Sequence, residues 1–371
     1  MRTLLGLVAA GCLLAGCGGS PPAGDSFTTS THGPPATVAS PTSAASSAPD
    51  TPRVIGTVAS KLAVPWGIAF LPDHSALVTE RDTGRVLHVT GPGQVTEVGR
   101  INETSVHGGE AGLLGIAVSP SYARDEAVFA YVSTNTDNRI VTMTFDGKTL
   151  SAPRPILTGI PNGFVHDGGR LAFGPDGFLY ASTGETGQEE LAQDPKSLGG
   201  KILRITKQGK PAPGNPDPTS PVWSIGHRNV QGLAFDDHAN LWASEFGASA
   251  WDELNLIQKA TNYGWPEVEG TGDQERFRNP QIQWRTDDAS PSGLAFLDGY
   301  LYLGALQGTR LWRVDVRGER AGNPTDFFVG KYGRLRTVVA APDGNLWVTT
   351  SNRDGRGRPG PKDDRILLVR P

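Results

Sequence analysis

Ionisable and polar side chains recur in this sequence beside short apolar runs that end in tight turns. Any one of them is explained as a solvated turn residue, but the whole set is typical of a binding or catalytic site. Groups of these types could move protons and hold polar ligands. The set comprises Glu80, Arg81, His107, Glu110, His166, Asp167, Glu185, His227, Arg228, Asn229, Glu245 with the adjoining Phe246 and Gly247, Gln307, Arg334, Arg336 and Asn352.

The apolar runs between these residues follow an internal repeat. The pattern is an apolar pair with Phe or a substitute, then a turn such as Pro-Asp-Gly, then an apolar-aromatic strand. In this turn Pro presets φ and Gly supplies the positive φ, which predicts a hairpin. The five intervals between Gly67 and Thr337 cover 270 residues, 54 on average. The six anchors are Gly67, Gly115, Arg170, Gly232, Gly293 and Thr337.

A unit of this length accommodates four short strands and their loops, which is the size of a propeller blade. We therefore predict an all-β fold over residues 53–371, a six-bladed β-propeller of four-stranded blades, with seven blades as the main alternative. No sustained helical period is seen after the N-terminal region. A β-sandwich would be shorter in total, and a β-helix would have a far shorter repeat.

The propeller geometry predicts where the polar residues meet. In a blade the first strand lies innermost, and the chain reverses at the hairpin. Residues just before the first strand and just after the second therefore emerge on the same face, near the axis. The polar positions stand at these points in every repeat, so we expect them to converge there.

Several segments resemble a known family. They are His166-Asp-Gly-Gly-Arg-Leu-Ala-Phe, Gly226-His-Arg-Asn-Val-Gln-Gly-Leu, Asp252-Glu-Leu-Asn-Leu-Ile, Asn262-Tyr-Gly-Trp-Pro and Arg334-Leu-Arg. In this order they resemble the soluble quinoprotein glucose/sorbosone dehydrogenases, six-bladed propellers that use pyrroloquinoline quinone (PQQ) and calcium. The resemblance runs from about residue 65 to 368, nearly the whole domain.

The resemblance implies oxidation of an aldose at its anomeric hydroxyl, with hydride transfer to the quinone and onward transfer to an electron acceptor. His166 would be the base that takes the hydroxyl proton. Arg228, with Asn229 beside it, would polarise the quinone carbonyl. Arg334 and Arg336 would pair with the PQQ carboxylates, for which a planar guanidinium is suited.

The resemblance also implies two calcium sites. The main-chain oxygens of Gly247 and Ala248 would bind the ion beside the quinone. Glu253 and the carbonyl of Tyr263 match a second, structural site. Hard oxygen ligands of this kind suit Ca²⁺.

Four positions depart from the family pattern. Glu110 stands where a Gln helps to hold the sugar, and Phe246 replaces a Gln or His. Ala248 replaces a Pro, and Gln307 replaces a Lys that meets the cofactor. Losing that cation while adding a carboxylate disfavours a tricarboxylate such as PQQ, by on the order of a few kcal/mol at an effective dielectric of about 20.

Two functions therefore follow from the sequence. The first is a quinoprotein aldose dehydrogenase, which His166 and Arg228 favour. The second is a non-catalytic envelope propeller that binds a carbohydrate or a protein partner with a degenerate cofactor site. Glu110, Phe246 and Gln307 favour the second.

The N-terminal segment predicts export and lipidation. A positive start and an apolar run over residues 4–14 are typical of a signal peptide, and the run is too short to span a bilayer. It ends in Leu14-Ala-Gly-Cys17, which resembles the lipobox of bacterial lipoproteins, in the form found in actinobacterial members of the family. We predict a signal peptide over residues 1–16 and attachment to the outer face of the cell membrane through lipid, palmitate included, on Cys17.

Residues 17–52 are rich in Ser, Thr, Ala and Pro, a composition that predicts a flexible tether. Of the two cysteines, Cys12 lies in the predicted signal and Cys17 would carry the lipid, so the domain has no thiol for disulfides or nucleophilic catalysis. A formal charge of −4 argues against nucleic acid as a partner.

Overall fold

The structure is a computed structural model that describes residues 51–106 and 108–371. Its described part forms six four-stranded antiparallel sheets. The predicted six-bladed β-propeller is therefore confirmed. The predicted signal peptide, Cys17, nearly all of the predicted tether and His107 lie outside the described residues.

Each of the first five blades is a run of four consecutive strands, with the first strand innermost. Blade 1 contains β2 (Pro65–Phe70), β3 (Ala76–Glu80), β4 (Arg85–Gly91) and β5 (Gln94–Arg100). Blade 2 contains β6 (Leu113–Val118), β7 (Ala127–Ser133), β8 (Asn138–Thr144) and β9 (Arg154–Ile160). Blade 3 contains β10 (Leu171–Phe173), β11 (Leu179–Ser182), β12 (Lys201–Ile205) and β13 (Val222–Ile225).

The remaining blades follow the same order. Blade 4 contains β14 (Val230–Phe235), β15 (Leu241–Glu245), β16 (Trp251–Ile257) and β17 (Ile282–Arg285). Blade 5 contains β18 (Pro291–Leu297), β19 (Tyr300–Ala305), β20 (Arg310–Arg317) and β21 (Arg320–Phe327). Blade 6 contains β22 (Leu335–Ala340), β23 (Leu346–Thr350) and β24 (Ile366–Arg370).

The fourth strand of blade 6 is β1 (Arg53–Ala59), from the other end of the domain. It pairs antiparallel with β24, with Arg53 opposite Arg370 and Ala59 opposite Ile366. This pairing closes the ring of blades and leaves no gap between the first blade and the last.

The repeated Pro-Asp-Gly sequence forms the inner hairpin of a blade, as predicted. In blade 3 the N–H of Gly177 donates to the carbonyl of Gly174 at 2.9 Å, and Gly177 has φ +78°. The Asp176 carboxylate accepts the N–H of Phe178 at 3.1 Å. Glycine suits this position because other residues rarely adopt a positive φ.

The core lies between neighbouring blades. One buried cluster joins Leu77 and Val86 of blade 1 to Leu113 and Val128 of blade 2. Comparable clusters join the other blades, so each sheet covers the apolar face of the next. The helices of the described residues are single turns, α1 (Tyr122–Asp125) and a 3-10 turn (Glu189–Ala192). None of these helices is long and apolar enough to cross a bilayer.

Candidate functional site

His166 is paired with a buried carboxylate of its own blade. Its Nδ1 lies 2.6 Å from Oε1 of Glu185, whose side chain is 1% exposed against 14% for the histidine. An ionised carboxylate only accepts hydrogen bonds, so the proton lies on Nδ1 and Nε2 is the free acceptor. Nε2 makes no hydrogen bond to a described residue. The arrangement is that of an oriented general base.

The backbone of His166 has an unusual conformation that its neighbours hold in place. Its φ is +58°, in the left-handed region. The carbonyl of His166 lies against Gly184, where a Cβ would come within 1.8 Å of the oxygen. Left-handed non-glycine residues concentrate at functional sites, where surrounding contacts stabilise them. Gly184 is therefore required for the position of the base.

Glu110 joins three blades at the axis. Its Oε2 accepts the backbone N–H of His166 and the side-chain amide of Asn229, each at 3.0 Å. Its Oε1 accepts from Nη1 of Arg356 at 3.3 Å. The predicted sugar-binding position is therefore also a structural link between His166 and blade 6. Asn229 is fully buried, and its Oδ1 accepts the N–H of Gly168 at 3.1 Å.

Arg228 faces main-chain oxygens of its own blade. Its Nη1 donates to the carbonyl of Gly247 at 2.6 Å, and its guanidinium lies 5.3 Å from the ring centre of Trp265. Its backbone N–H donates to the Glu245 carboxylate. The Nε atom is buried and has no partner among the described residues. Arg228 lines a small buried pocket apart from the residues around Arg334 and Arg336.

Arg334 and Arg336 share one carboxylate, that of Asp354. The distances from Nε of Arg334 and Nη2 of Arg336 to Oδ2 of Asp354 are 2.9 and 3.3 Å. Burial alone would raise the pKa of Asp354, but the two guanidinium groups hold it below its usual value. Burial lowers the pKa of Arg336 to about 10. Two buried cations with one counter-charge leave a net positive site.

Glu110, Arg334, Arg336 and Asp354 line a narrow cleft that adjoins a larger cavity, whereas His166, Arg228 and Asn229 are not among the lining residues. The cleft has a free volume of about 10 Å³. It is lined by Arg81, Gly109, Glu110, Gln231, Phe246, Leu306, Arg334, Arg336, Asp354 and Arg356. The adjoining cavity, of about 580 Å³, shares Leu306, Arg334 and Arg356 with it.

The cavity is strongly basic despite its one glutamine. Gln307 lines it, together with Lys331, Arg334, Arg356, Arg358, Arg365 and one carboxylate, Asp363, which pairs with Arg365. No carboxylate of the described residues pairs with Lys331 or Arg358. The positive charge that the sequence lacks at position 307 is thus supplied by neighbouring loops of blade 6.

The residues predicted to bind the first calcium are engaged with protein groups. The carbonyl of Gly247 accepts from Arg228, so a cation there would share this oxygen with the guanidinium. The N–H groups of Ala248 and the next three residues all donate to Oε1 of Glu269, at 2.7–3.1 Å. The Glu269 carboxylate thus fixes the loop whose Gly247 and Ala248 carbonyl oxygens are predicted to bind calcium.

Glu253 and Tyr263 lie in a small buried pocket with Arg228 and Gly247. Burial and the nearby Glu245 carboxylate raise the pKa of Glu253 to about 8. A cation would relieve that repulsion. Within residues 51–106 and 108–371, however, no three His, Cys, Asp or Glu side chains are grouped to hold a metal, so the predicted calcium site also needs carbonyl oxygens.

The structure adds residues to the site that the sequence analysis did not assign. The sequence identifies Glu185 only as a polar position, whereas the structure shows that its carboxylate orients His166. Asp354 and Arg356 lie in the loop between β23 and β24 of blade 6. In the sequence only their charge could have indicated a role in the site. Gln231 accepts from Arg336 at 3.2 Å through its side-chain oxygen. The side-chain amides of Gln231 and Asn229 both face Oε2 of Glu110, at 3.5 and 3.0 Å.

Asp167, next to the base, is buried with an incomplete set of partners. Its Oδ1 accepts from Asn138 at 2.9 Å and from the N–H of Gly163 at 3.1 Å. Its Oδ2 is buried without a described partner. Burial raises the pKa of Asp167 to about 7, and the charge of Glu110 adds to this.

Within its described residues the chain thus combines a six-bladed propeller, the His166–Glu185 pair and an arginine-lined cleft. The chain belongs to the glucose/sorbosone dehydrogenase family, whose model matches residues 62–368.

Solved structures and curated proteins agree with this assignment. The PQQ-bound aldose sugar dehydrogenase of Streptomyces coelicolor is 52% identical, with a TM-score of 0.84 over 86% of this chain and 98% of that one. The apo form of the soluble aldose sugar dehydrogenase of Escherichia coli is 28% identical, with a TM-score of 0.75 over 86% and 99%. A curated aldose sugar dehydrogenase of Escherichia coli is 30% identical over 333 residues, 80% of this chain and 89% of that protein.

Proposed function

We propose that this protein is a PQQ-dependent aldose sugar dehydrogenase, held on the outer face of the cell membrane by lipid on Cys17. The observation that carries the enzymatic part is the His166–Glu185 pair, whose backbone is bonded to Glu110, a residue that lines the arginine-lined cleft. The similarity to a PQQ-bound relative supports the choice of cofactor.

The residues of the cleft and cavity fit an anionic cofactor. Arg334 and Arg336 retain an excess of positive charge over Asp354, and Arg356 offsets Glu110. Arg228 lies in the separate small pocket of Glu253 and Tyr263, and its buried, unpartnered Nε would meet a carbonyl oxygen only after side chains move. The departures at Glu110 and Gln307 are therefore compensated nearby, which weakens the electrostatic case against PQQ.

The protein's own groups would perform the proton transfer. Nε2 of His166 accepts the proton of the anomeric hydroxyl, while Glu185 keeps the ring oriented and stabilises the imidazolium that forms. When bound, PQQ supplies a two-electron acceptor for the hydride from the anomeric carbon. The sugar thereby loses one proton and one hydride and leaves as a lactone.

Arg228 would stabilise the negative charge that develops on the acceptor. Its guanidinium is oriented by the Gly247 carbonyl and by the Trp265 ring. A preorganised donor of this kind costs no reorganisation during the reaction. Calcium, if held by the Gly247 and Ala248 carbonyls, would act beside it, and Glu253 with the Tyr263 carbonyl would hold a structural ion.

A second function is favoured by one observation. The cleft beside Phe246 is too narrow to hold a cofactor without movement of its side chains, although the cavity next to it is large. A propeller that binds a carbohydrate or a protein partner without catalysis is consistent with a closed cleft. It does not explain the oriented base.

Cofactor binding separates the two functions. Purified protein is titrated with PQQ in the presence of Ca²⁺, and dye reduction is then measured with several aldoses. We expect binding at micromolar PQQ and aldose-dependent dye reduction. Absence of PQQ binding at that concentration would overturn the dehydrogenase proposal and favour the binding function.

A further inference from the structure

Arg170 lies on the propeller axis. This residue directly precedes β10, the inner strand of blade 3, and its guanidinium contacts the inner strands of three other blades. Nε donates to the Gln231 carbonyl at 2.8 Å, and Nη2 donates to Oγ1 of Thr337 at 3.2 Å. The guanidinium carbon lies 4.2 Å from the ring centre of Trp66. Contacts with blades 1, 4 and 6 from blade 3 place this group in the central channel.

No carboxylate of the described residues neutralises Arg170. The oxygens that accept from it belong to two carbonyls and a hydroxyl, and one of these bonds, to the Trp66 carbonyl, is long at 3.5 Å. Burial lowers the pKa of Arg170 to about 9, and repulsion by Arg336 adds to this. The group stays protonated at neutral pH, so the protein holds an uncompensated cation in its interior. Such a group is costly to bury.

Arg170 lies one layer beneath the cleft. Gln231, whose carbonyl accepts from Arg170, lines the cleft and also bonds Arg336 through its side chain. Thr337, the other partner, directly follows Arg336 in β22. The positive charge therefore lies next to Gln231 and close to Arg336, two residues that line the cleft in which Arg334 and Arg336 already exceed their counter-charge.

We propose that Arg170 is a positioning residue that provides the axial cleft with a permanent positive potential, and so selects a multiply charged anion there without touching it. The inference deepens the proposed function, on which it rests for the identity of the anion as PQQ. A low-dielectric interior transmits the field of a buried charge more effectively than water does. An anion bound in the cleft would then offset part of the unfavourable free energy of burying the cation.

A purely structural role makes a different prediction. An arginine that only fills the channel and bonds three blades would affect stability, and its charge would be irrelevant to ligand affinity. Arg170→Lys keeps the charge and loses most of the packing, whereas Arg170→Met keeps much of the packing and loses the charge. The pair of variants therefore separates the two roles.

The experiment measures anion affinity of the full-length apo protein by fluorescence titration and thermal shift. The probes are PQQ and citrate, a tricarboxylate that cannot support the redox reaction. We expect Arg170→Met to weaken both by about tenfold or more and Arg170→Lys to stay within about threefold of the unsubstituted protein. Arg204, a buried arginine of the same blade that pairs with Asp176 far from the cleft, provides the control. Arg204→Met should leave both affinities unchanged.

Equal affinities of folded Arg170→Met and the unsubstituted protein for both anions would overturn the inference while leaving the dehydrogenase proposal intact. Citrate binding that depends on Arg170, in a protein that does not bind PQQ, would refute the dehydrogenase proposal and support the inference. Should Arg170→Met fail to fold, Thr337→Asp introduces a counter-charge with Arg170 retained. Weaker binding of both anions by this variant supports the inference, and unchanged binding refutes it.

Discussion

The Nδ1 atom of His166 lies 2.6 Å from Oε1 of Glu185, within one blade and across its inner hairpin. Glu185 is almost fully buried, whereas His166 is partly accessible. The carboxylate thus fixes the tautomer and the ring orientation of His166. Of the two side chains, only the histidine is accessible to a substrate. A second pair, His227 with Glu245, repeats the arrangement in blade 4 at 2.9 Å, but its histidine is fully buried. Accessibility therefore distinguishes the candidate base from its structural counterpart.

Replacing the base should abolish turnover without affecting cofactor binding. We expect His166→Ala to lower kcat by about 10² to 10⁴, the usual contribution of general-base catalysis. Steady-state dye reduction and a parallel PQQ titration check this. His238→Ala, which removes an exposed histidine of a blade 4 hairpin, is the control and should keep full activity. Retained turnover in His166→Ala would mean that another group takes the proton.

The orienting carboxylate should matter less than the base itself. Glu185→Gln keeps a hydrogen-bond acceptor for Nδ1 but loses the charge that stabilises the imidazolium. We expect kcat to fall by about tenfold to a hundredfold with KM little changed. A rise in KM with unchanged kcat would instead show that Glu185 only shapes the binding site.

Removing the carboxylate at position 110 should strengthen cofactor binding. Glu110→Gln keeps the acceptor for the N–H of His166 and deletes a negative charge next to the arginines of the cleft. We expect PQQ affinity to rise by up to about tenfold. Glu103→Gln, at an exposed position before the same blade, should change nothing. Weaker binding in Glu110→Gln would show that its link to Arg356 organises the site.

Asp167 should make the protein less stable as the pH rises. In the unfolded chain this carboxyl loses its proton near pH 4, whereas the folded protein holds it until about pH 7. Stability therefore falls between these values, by at most about 4 kcal/mol for a shift of three pKa units. Asp167→Asn should reduce this slope, and the remainder comes from Asp252, Glu253 and Asp364, whose pKa values burial also raises. Denaturant unfolding at pH 4.5 and pH 8 measures it, and an identical slope in the variant would contradict the assignment.

Calcium should stabilise the protein through Glu253, increasingly at higher pH. The pKa of Glu253 is raised to about 8 because the group is buried beside Glu245, and a cation binds the ionised form. We expect Ca²⁺ to raise the Tm of the unsubstituted protein and to have a much smaller effect on Glu253→Gln. An equal Ca²⁺ effect on both proteins would remove Glu253 from the metal site.

The lipid anchor is tested by substitution of one residue. Cys17→Ala should shift the protein from the membrane fraction to the soluble exported fraction, because the only predicted attachment is lipid on this cysteine. Fractionation of cells that express each form checks this. Membrane retention of the variant would refute the anchor.

The fold was predictable because its signal is local. Each inner hairpin carries its own apolar run and turn, and the spacing of six such units sets the number of blades. The closure of blade 6 was not predicted, because β1 and β24 are joined by no local pattern. Their pairing is determined only once the ring is complete.

The site was predictable in composition and much less so in connectivity. His166, Arg228 and Arg334 stand at blade positions that the repeat identifies. The contacts that balance the charges of the site join residues far apart in the sequence. Glu110, for example, bonds Asn229 and Arg356 across the axis. For this reason the added negative charge of Glu110 and the missing positive charge at Gln307 could not be weighed against nearby cations from sequence alone.

The pairing of β1 with β24 has a kinetic consequence. The contacts between Arg53 and Arg370 join residues at opposite ends of the domain, so this is the closure with the largest sequence separation in the fold. Loop-closure entropy opposes such contacts until the intervening blades have formed, and topologies rich in them fold slowly. We therefore expect an open-ring intermediate during refolding, with the first and last blades unsealed, and a protease-sensitive interval that ends when the two strands meet.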